Sequence, residues 1–243
     1  MSLRFRIALS LVGLWIAASA TAGQCSARSG MHTAALVELY TSANCNSCPP
    51  ANRWLSSLGA RGHVPGRVVP IALHVDYWDY TGDATAKRDL RLTQRRLTQR
   101  QRLALVHTPQ VLLQGREFRG GGSAAFDEAV AKIHAVQARA DLRLDIVSLD
   151  AHGLRVAVAA ELLQPARVQD AALYLAAYEA RPEDRVSVVL EWQGPFGFSG
   201  PKLQAERLLP LLPRAMPTNS GVVGFVQDRR TAEVLQALML AAC

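Results

Sequence analysis

Residues 35–51, ALVELYTSANCNSCPPA, decide the fold class of this chain. The run 35–40 is mostly apolar and short, which predicts a buried β-strand. Cys45 and Cys48 follow in a loop, and two prolines come directly after them. Proline is tolerated in the first turn of a helix because its missing N–H would have no helical partner there. The stretch therefore predicts a strand, a loop with a CxxC motif, and a helix over 50–58.

Further α/β elements follow this stretch. Residues 68–75 (VVPIALHV) predict a second buried strand, and Pro70 within it suggests an edge position or a later start. Residues 111–114 predict a third strand, and 124–138 predict a helix with apolar residues at helical spacing. Strands alternating with helices are typical of an α/β domain, which we expect to span residues 23–139.

A different pattern begins near residue 140. Short segments in which apolar and polar residues alternate are separated by turns up to residue 243. The last two segments, 221–227 and 233–239, flank the turn 228–231 and predict a hairpin. Residues 140–243 therefore predict a β-rich, β-sandwich-like C-terminal domain.

The first 22 residues are typical of a secretory signal peptide. Arg4 and Arg6 precede an uncharged apolar run, and Ala20-Thr21-Ala22 forms a small-x-small cleavage pattern. An uncleaved anchor is the less favoured alternative, because a membrane span needs about 20 apolar residues. We expect an exported protein, periplasmic or secreted, with no stable membrane insertion after cleavage, in a compartment where disulfides persist.

Composition excludes several other classes. The chain of 243 residues is 49% hydrophobic and 19% charged, which excludes general disorder. Its net charge of +7 comes from arginines scattered along the sequence, so we expect a mildly basic surface and no nucleic-acid partner. Four cysteines are too few for a disulfide-rich scaffold and must be interpreted individually.

Residues 83–105 predict a basic helix inserted before the third strand. Seven lysines and arginines stand there against two aspartates. Such a run is more often a solvated helix face than a surface for an anion or a partner, and we favour the solvated face.

The CxxC motif allows three interpretations. A helix N-terminus lowers thiol pKa values, which favours thiol–disulfide exchange with Cys45 as nucleophile and Cys48 as resolving partner. Two thiolates with His74 or His107 would instead hold zinc or copper(I). The third possibility is an inert structural disulfide. The redox interpretation is favoured because the motif follows a strand and opens a helix. No resident cofactor is expected.

Thr108 and Pro109 strengthen the redox interpretation. A proline ahead of a strand, at this distance after the CxxC motif, matches the cis-proline position of thioredoxin-like folds, where the cis peptide lies beside the reactive sulfur. Only about 5–6% of X–Pro bonds are cis, so context carries this inference. An ordinary proline at the start of a strand is the alternative.

The segment 74–80, HVDYWDY, lies at the end of the second predicted strand. His74 and Asp76 are candidates for a proton relay to the sulfurs, and Tyr77 and Trp78 are candidates for a substrate groove. The equally weighted alternative is a hydrogen-bonded strand end with aromatic residues that close the core.

Cys25 and Cys243 remain after the CxxC pair is assigned. In an oxidising compartment they invite a structural disulfide, which would close a loop of more than 200 residues and contribute up to about 5 kcal/mol in the chain-entropy model. Two free thiols, or a lipid on Cys25, are the alternatives. The residues before Cys25 fit a lipidation signal poorly.

Several motifs together resemble an uncharacterised bacterial family of secreted thioredoxin-like proteins, domain of unknown function 1223. They are ELYTS at 38–42, CNSCPPA at 45–51, HVDYWDY at 74–80, TQRQ at 98–101 and TPQ at 108–110. The resemblance implies a thioredoxin-like domain followed by a β-rich one. It departs from the family pattern at Asn44, where glycine is usual, and at His107, where tyrosine is usual. His107 is therefore a candidate modifier of sulfur reactivity.

These observations favour an exported thiol–disulfide oxidoreductase. Its partners would be protein thiols or disulfides and a second redox protein. The alternatives are a zinc or copper module that uses Cys45, Cys48 and His74, and a structural protein with an inert CxxC disulfide. The expected fold is an α/β thioredoxin-like domain, with a helical insert before the cis-proline strand, followed by the β-sandwich-like domain.

Overall fold

The computed structural model describes residues 25–103, 105–120, 124–168, 170–181, 186–213 and 215–243. The expected signal peptide, residues 1–22, lies outside the described residues. Within the ranges above, every helix is too short or too polar to cross a bilayer. The fold is an α/β arrangement that is mostly β-sheet, with two sheets and three α-helices in the described part of the chain.

The elements occur in the following order along the chain. They are β1 (Ser26–Arg28), β2 (Ala35–Thr41), α1 (Pro49–Ser57), β3 (Val68–His74), α2 (Arg88–Arg100), β4 (Gln110–Leu113), β5 (Arg116–Glu117), α3 (Ala124–His134), β6 (Ala140–Asp150), β7 (Gly153–Leu162), β8 (Ala171–Ala180), β9 (Ser187–Gly197), β10 (Lys202–Leu209), β11 (Ser220–Asp228) and β12 (Val234–Ala241). A short 3₁₀ helix, Asp76–Trp78, follows β3.

The larger sheet has eight strands in the order β12-β11-β8-β9-β3-β2-β4-β5. Strand β2 pairs with β3 in parallel and with β4 antiparallel. Strand β9 joins β3 in parallel through one bridge, Ala72 with Val188. The smaller sheet is antiparallel, in the order β1-β6-β7-β10. Strands from both sides of residue 140 therefore share the larger sheet.

Alternation along β2 assigns its side chains to two different cores. Leu36 and Tyr40 belong to the cluster that also contains Leu90 and Leu97 of α2. Leu39 and its alternate neighbours belong to the cluster that contains the buried side chains of α1 and α3. Since successive strand residues point to opposite faces, α2 covers one face of the sheet and the other two helices cover the opposite face.

The smaller sheet covers the remainder of that opposite face. Leu142 and Leu144 of β6 and Val156 of β7 pack in one cluster with Leu173 of β8 and Val222 of β11. All five side chains are fully buried. The segments after residue 140 thus divide between two sheets that enclose a common apolar core, as two packed antiparallel layers do.

The predicted strands and helices occur in the predicted order, but β1, β5 and β10 were not predicted, and several details are corrected. The helix predicted over 83–105 is shorter, Arg88–Arg100, because residues 79–85 form a hydrogen-bonded loop before it. The prediction that Pro70 marks an edge strand or a later start is wrong, since β3 begins at Val68 and lies between β2 and β9. Strand β9 pairs with β3 at one position only, so the ladder is short where proline lacks its N–H. A division at residue 139/140 stays a prediction.

Two glutamines, Gln236 fully buried and Gln114 partly buried, connect the first strands to the last hairpin. The Gln236 side chain accepts a hydrogen bond from the Ala34 N–H (2.8 Å) and donates to the carbonyl of Gly30 (3.0 Å). The Gln114 side chain accepts from the Leu36 N–H at 2.9 Å and donates to the Val234 carbonyl at 3.1 Å. These bonds satisfy backbone groups that the sheet ladders leave unpaired, so they position β2 against β12.

Cys25 and Cys243 are joined by a disulfide, with 5.8 Å between their Cα atoms and 218 residues of sequence separation. The first cysteine directly precedes β1, and the second lies just after β12. The bond therefore connects the edge strand of the smaller sheet to the edge strand of the larger one.

We expect the two disulfides of the protein to differ in their contribution to stability. In the chain-entropy model the Cys25–Cys243 loop contributes about 5 kcal/mol, whereas the three-residue separation of Cys45 and Cys48 contributes only about 2 kcal/mol. The double variant Cys25→Ser/Cys243→Ser should therefore lose more unfolding free energy in urea than its matched control, Cys45→Ser/Cys48→Ser. Equal losses would contradict this account.

Candidate functional site

Three chain segments meet at one end of the larger sheet. Thr41, the last residue of β2, is opposite His74, the last residue of β3. The neighbouring Tyr40 is opposite Gln110, the first residue of β4. The loop 42–48, the segment after β3 and the residues before β4 are therefore adjacent. The CxxC motif, HVDYWDY and Thr108-Pro109 lie in these three segments.

Cys45 and Cys48 form a disulfide with 5.4 Å between their Cα atoms. Cys45 is 7% exposed and Cys48 is 1% exposed. Cys48 is the N-cap of α1, and its carbonyl accepts the first helical hydrogen bond, from Asn52. The Cys45 sulfur lies 3.5 Å from the Ser47 hydroxyl. Cys45 is therefore the more exposed of the two cysteines, while the start of the helix shields Cys48.

The helix start offers fewer N–H donors than a helix N-terminus usually does. Positions one and two of α1 are Pro49 and Pro50, neither of which has an N–H. The N–H of Cys48 donates to the Cys45 carbonyl at 3.1 Å, and the N–H of Cys45 donates to the Ser42 carbonyl at 3.3 Å. A thiolate at Cys45 would thus receive the helix dipole but little direct hydrogen bonding from this turn.

His74 is buried, and its Nδ1 is used in hydrogen bonds to the loop before α2. Its Nδ1 lies 2.6 Å from Asp83 Oδ2 and 3.0 Å from the Thr85 hydroxyl, which itself donates to Asp83 Oδ1. Burial alone would raise the pKa of Asp83, but the hydrogen bonds from His74 and Thr85 outweigh it and hold that pKa well below its usual range. His74 therefore fixes the loop before α2.

The structure does not add His74 to the cysteines as a third metal ligand. Both sulfurs are used in the disulfide. Within the described ranges, no group of three or more His, Cys, Asp or Glu side chains is arranged to hold a metal ion.

Asp76 and Tyr77 contact α2. Asp76 Oδ1 lies 3.3 Å from Nε of Arg91, within ion-pair distance but without hydrogen-bond geometry. The Tyr77 hydroxyl donates to Gln94 Oε1 at 3.2 Å. Burial raises the pKa of Tyr77, and the Gln94 and Thr108 side chains oppose that rise. These two residues thus attach the segment after β3 to α2.

Trp78 and Tyr80 form an aromatic surface beside the cysteine loop. Trp78 is 40% exposed and Tyr80 is 77% exposed, and their rings meet edge to face at 6.4 Å between centroids. Asn44, next to Cys45, donates from its side chain to the Thr81 hydroxyl at 3.1 Å. This bond holds the CxxC loop against the aromatic segment. The segment therefore places an exposed apolar surface next to the more accessible cysteine.

The Thr108–Pro109 peptide bond is cis, as the sequence context suggested. Gln94, which is fully buried on α2, donates to the His107 carbonyl at 2.8 Å and to Gln110 Oε1 at 2.9 Å. The His107 side chain is exposed, with Nε2 3.7 Å from Glu117 Oε1. Gln94 thus holds the backbone before the proline and the side chain of the residue after it.

Comparison with known proteins places this chain in a family. A family described as "Protein of unknown function (DUF1223)" matches residues 36–188, which is more than half of the chain. The chain belongs to the DUF1223 family. No curated protein matches its sequence.

Two solved structures share the fold of this DUF1223 chain. One is a protein of Agrobacterium tumefaciens with 24% identity and a TM-score of 0.60, and the match covers 88% of this chain and 96% of that one. The other is HBP35 of Porphyromonas gingivalis, with 12% identity and a TM-score of 0.65 over 87% of this chain and 76% of that one. At these identities the likeness concerns the fold alone.

The sequence analysis did not assign a role to Glu38, a buried carboxyl group in the DUF1223 chain. Glu38 is 1% exposed, and its Oε1 accepts a hydrogen bond from the Tyr40 hydroxyl at 3.2 Å. No described residue bonds its Oε2. Burial raises the pKa of Glu38 to about 7, against the smaller effect of Tyr40. Glu38 lies on the α2 face of β2, whereas α1 and Cys48 lie on the opposite side.

Glu38 should make the stability of the DUF1223 chain depend on pH. Because the folded-state pKa is raised from 4.5 to about 7, the proton stabilises the folded state. That stabilisation, on the order of 3 kcal/mol, is fully present below about pH 4.5 and is lost as the pH rises through about 7. Glu38→Gln should flatten the decline, as measured by urea unfolding between pH 4.5 and 8.

Glu206→Gln is the matched control for this measurement. Glu206 is half-exposed and pairs with Arg155 on the surface of the smaller sheet. The substitution removes the same kind of ionisable group from an exposed position. The pH dependence of stability should therefore stay as in the unmodified protein. An unchanged slope in Glu38→Gln would contradict the assignment.

Proposed function

We propose that this protein is an exported thiol–disulfide oxidoreductase with a thioredoxin-like arrangement around its CxxC motif. The observation that carries the proposal is the unequal exposure of a disulfide at the start of a helix. Cys45 can be attacked and Cys48 is shielded. Support for the thioredoxin-like arrangement comes from the parallel β2–β3 pair, the antiparallel β4 next to β2, and a cis peptide bond directly before β4.

The proposed reaction exchanges one disulfide for another. In the reducing direction, the Cys45 thiolate attacks a client disulfide, one client sulfur leaves as a thiolate, and a mixed disulfide forms. The Cys48 thiolate then attacks the Cys45 sulfur, which releases the second client thiolate and forms the Cys45–Cys48 disulfide. Two electrons pass to the client. A second redox protein, in turn, reduces the Cys45–Cys48 pair again.

The charges and donors of the site favour a reducing protein. Pro49 and Pro50 remove two N–H groups that could stabilise a thiolate. Arg91 on α2 and His74 at the end of β3 are already paired with Asp76 and Asp83, so neither side chain is free to stabilise a thiolate. A poorly stabilised thiolate makes the reduced form less favoured, which lowers the reduction potential. We expect a value nearer to about −270 mV than to about −120 mV, the range of known redox domains.

Thiol trapping across a redox-buffer series tests this function. The Cys45–Cys48 pair should show a reversible two-electron midpoint in the range above. Cys25→Ser/Cys243→Ser, with its CxxC motif intact, should keep the same midpoint. Cys48→Ser should accumulate a stable mixed disulfide with a disulfide-containing peptide, whereas Cys45→Ser should not, because Cys48 is shielded.

Three results would contradict the proposal or part of it. A pair that stays oxidised below about −300 mV is a structural disulfide. A pair that resists trapping until a chelator is added holds a metal. Mixed disulfides of equal yield in both single variants would reverse the assignment of nucleophile and resolving cysteine.

The aromatic surface of Trp78 and Tyr80 is proposed to contact the client polypeptide. The double variant Trp78→Ala/Tyr80→Ala should reduce a protein disulfide about tenfold more slowly, since exposed aromatic residues often dominate binding energy. Its rate with glutathione disulfide should stay unchanged, because a small substrate does not need that surface. Leu163→Ala, a half-exposed apolar residue after β7, is the control. Equal losses with both substrates would exclude a docking role.

A further inference from the structure

A cavity of about 320 Å³ lies between α2 and the strands β8 and β11, on the α2 face of the larger sheet. Leu97, Tyr174 and Ala232 form its buried apolar part, and Gln227 is also buried. The exposed guanidinium groups of three arginines also line the cavity; they are Arg96, Arg100 and Arg229. None of the lining residues belongs to the CxxC loop or to the segments 74–80 and 107–109.

The cavity carries an excess of positive charge. Three arginines and one aspartate line it, a formal balance of +3 − 1 = +2. Arg229 forms an ion pair with Asp170, and its Nε donates to Asp170 Oδ1 at 2.8 Å. Arg96 and Arg100 form no ion pair with any residue in the described ranges. Two guanidinium groups of α2 therefore remain available to an anion.

The same two arginines act on the hydroxyl group of Tyr174. Burial raises the pKa of Tyr174, and the charges of Arg96, Arg229 and Arg100, in that order, oppose the rise. All three charges act on one phenol, so a ligand near that hydroxyl group would feel all three. Electrostatic attraction is strongest where the surrounding wall is apolar and excludes water.

The Tyr174 side of the cavity is aromatic and rigid. The Tyr174 ring stacks on Phe225, with 5.0 Å between centroids and 10° between planes. Trp192 contacts both rings, at 5.8 Å from Tyr174 and 5.5 Å from Phe225. This packing holds the Tyr174 ring in place. A flat apolar group can therefore pack in the cavity while its charged end meets the arginines.

We propose that this cavity binds a small organic anion with a carboxylate or phosphate group and a flat apolar body. Guanidinium groups bind both kinds of anion in a bidentate manner, so the two arginines of α2 in this cavity suit either group. The volume lies at the lower end of the range for small-molecule sites, so the ligand is about the size of a substituted aromatic ring. Part of the basic α2 face thus has a binding role.

Calorimetric titration of the full protein with four probes tests the proposal. Phenyl phosphate and benzoate carry both features, inorganic phosphate lacks the ring, and benzyl alcohol lacks the charge. We expect saturable binding of phenyl phosphate, of benzoate, or of both, and this comparison distinguishes the phosphate from the carboxylate. Inorganic phosphate and benzyl alcohol should each bind at least about tenfold more weakly.

Variants connect the binding to this cavity. Arg96→Gln/Arg100→Gln should weaken binding of the better probe at least about tenfold, because two charge-assisted contacts are lost. Arg88→Gln is the matched control on the same helix. Arg88 lies about 12 Å from Arg96 along the helix axis, beyond the Debye length at physiological salt. Its substitution should therefore change the affinity less than twofold. Urea unfolding of each variant verifies that the exposed substitutions leave the fold intact.

Intrinsic fluorescence provides a second measurement. Trp192 contacts Tyr174, so a bound ring should change its emission, and Trp192→Phe should remove that response. The proposal is overturned if neither phenyl phosphate nor benzoate binds up to about 10 mM. It is also overturned if the double arginine variant binds as well as Arg88→Gln. Inorganic phosphate that binds as tightly as phenyl phosphate would exclude the flat apolar body.

Discussion

Complete burial of β2 is the constraint on which the rest of this structure depends. All seven residues of Ala35–Thr41 are inaccessible to solvent, so every backbone polar group of the strand needs an internal partner. Strands β3 and β4 supply the ladders on its two sides, and the Gln114 side chain supplies a further acceptor for the Leu36 N–H. Helices cover both faces. The CxxC loop starts where this rigid strand ends, which fixes the position of the sulfurs.

Local sequence pattern was sufficient for the elements around the CxxC motif. The strands at 35–40 and 68–75 are short apolar runs, and the helix after the motif begins at prolines. Hydrophobic pattern and helix-start residues therefore predicted the same elements. The join between the two halves could not be predicted in this way. Within the larger sheet, β3 meets β9 at one bridge, Ala72 with Val188, and no local pattern records a pairing between residues so distant in sequence. The missing N–H of Pro70 suggested an edge position or a later start, because the partner strand β9 could not be foreseen.

Other features of the site depend on tertiary contacts. His74 was a candidate for proton transfer or metal binding because it ends a strand beside the CxxC motif. Its partner Asp83 lies nine residues away, inside what sequence periodicity presents as a helix. The role of Gln94 could not be predicted for a similar reason. A glutamine within a basic helix has no distinctive pattern, and only the fold places it against the His107 carbonyl. Glu38 lies within an apolar run, and its role was not predicted.

The ring formed by the bond between Cys25 and Cys243 has a mechanical consequence. Tension applied across these two residues would be carried by the covalent bond and would not reach the hydrogen-bonded sheets. A peptide bond cut in an exposed loop between them would leave both fragments attached. The bond therefore makes the fold tolerant of a single cut, provided that its own sulfurs stay oxidised.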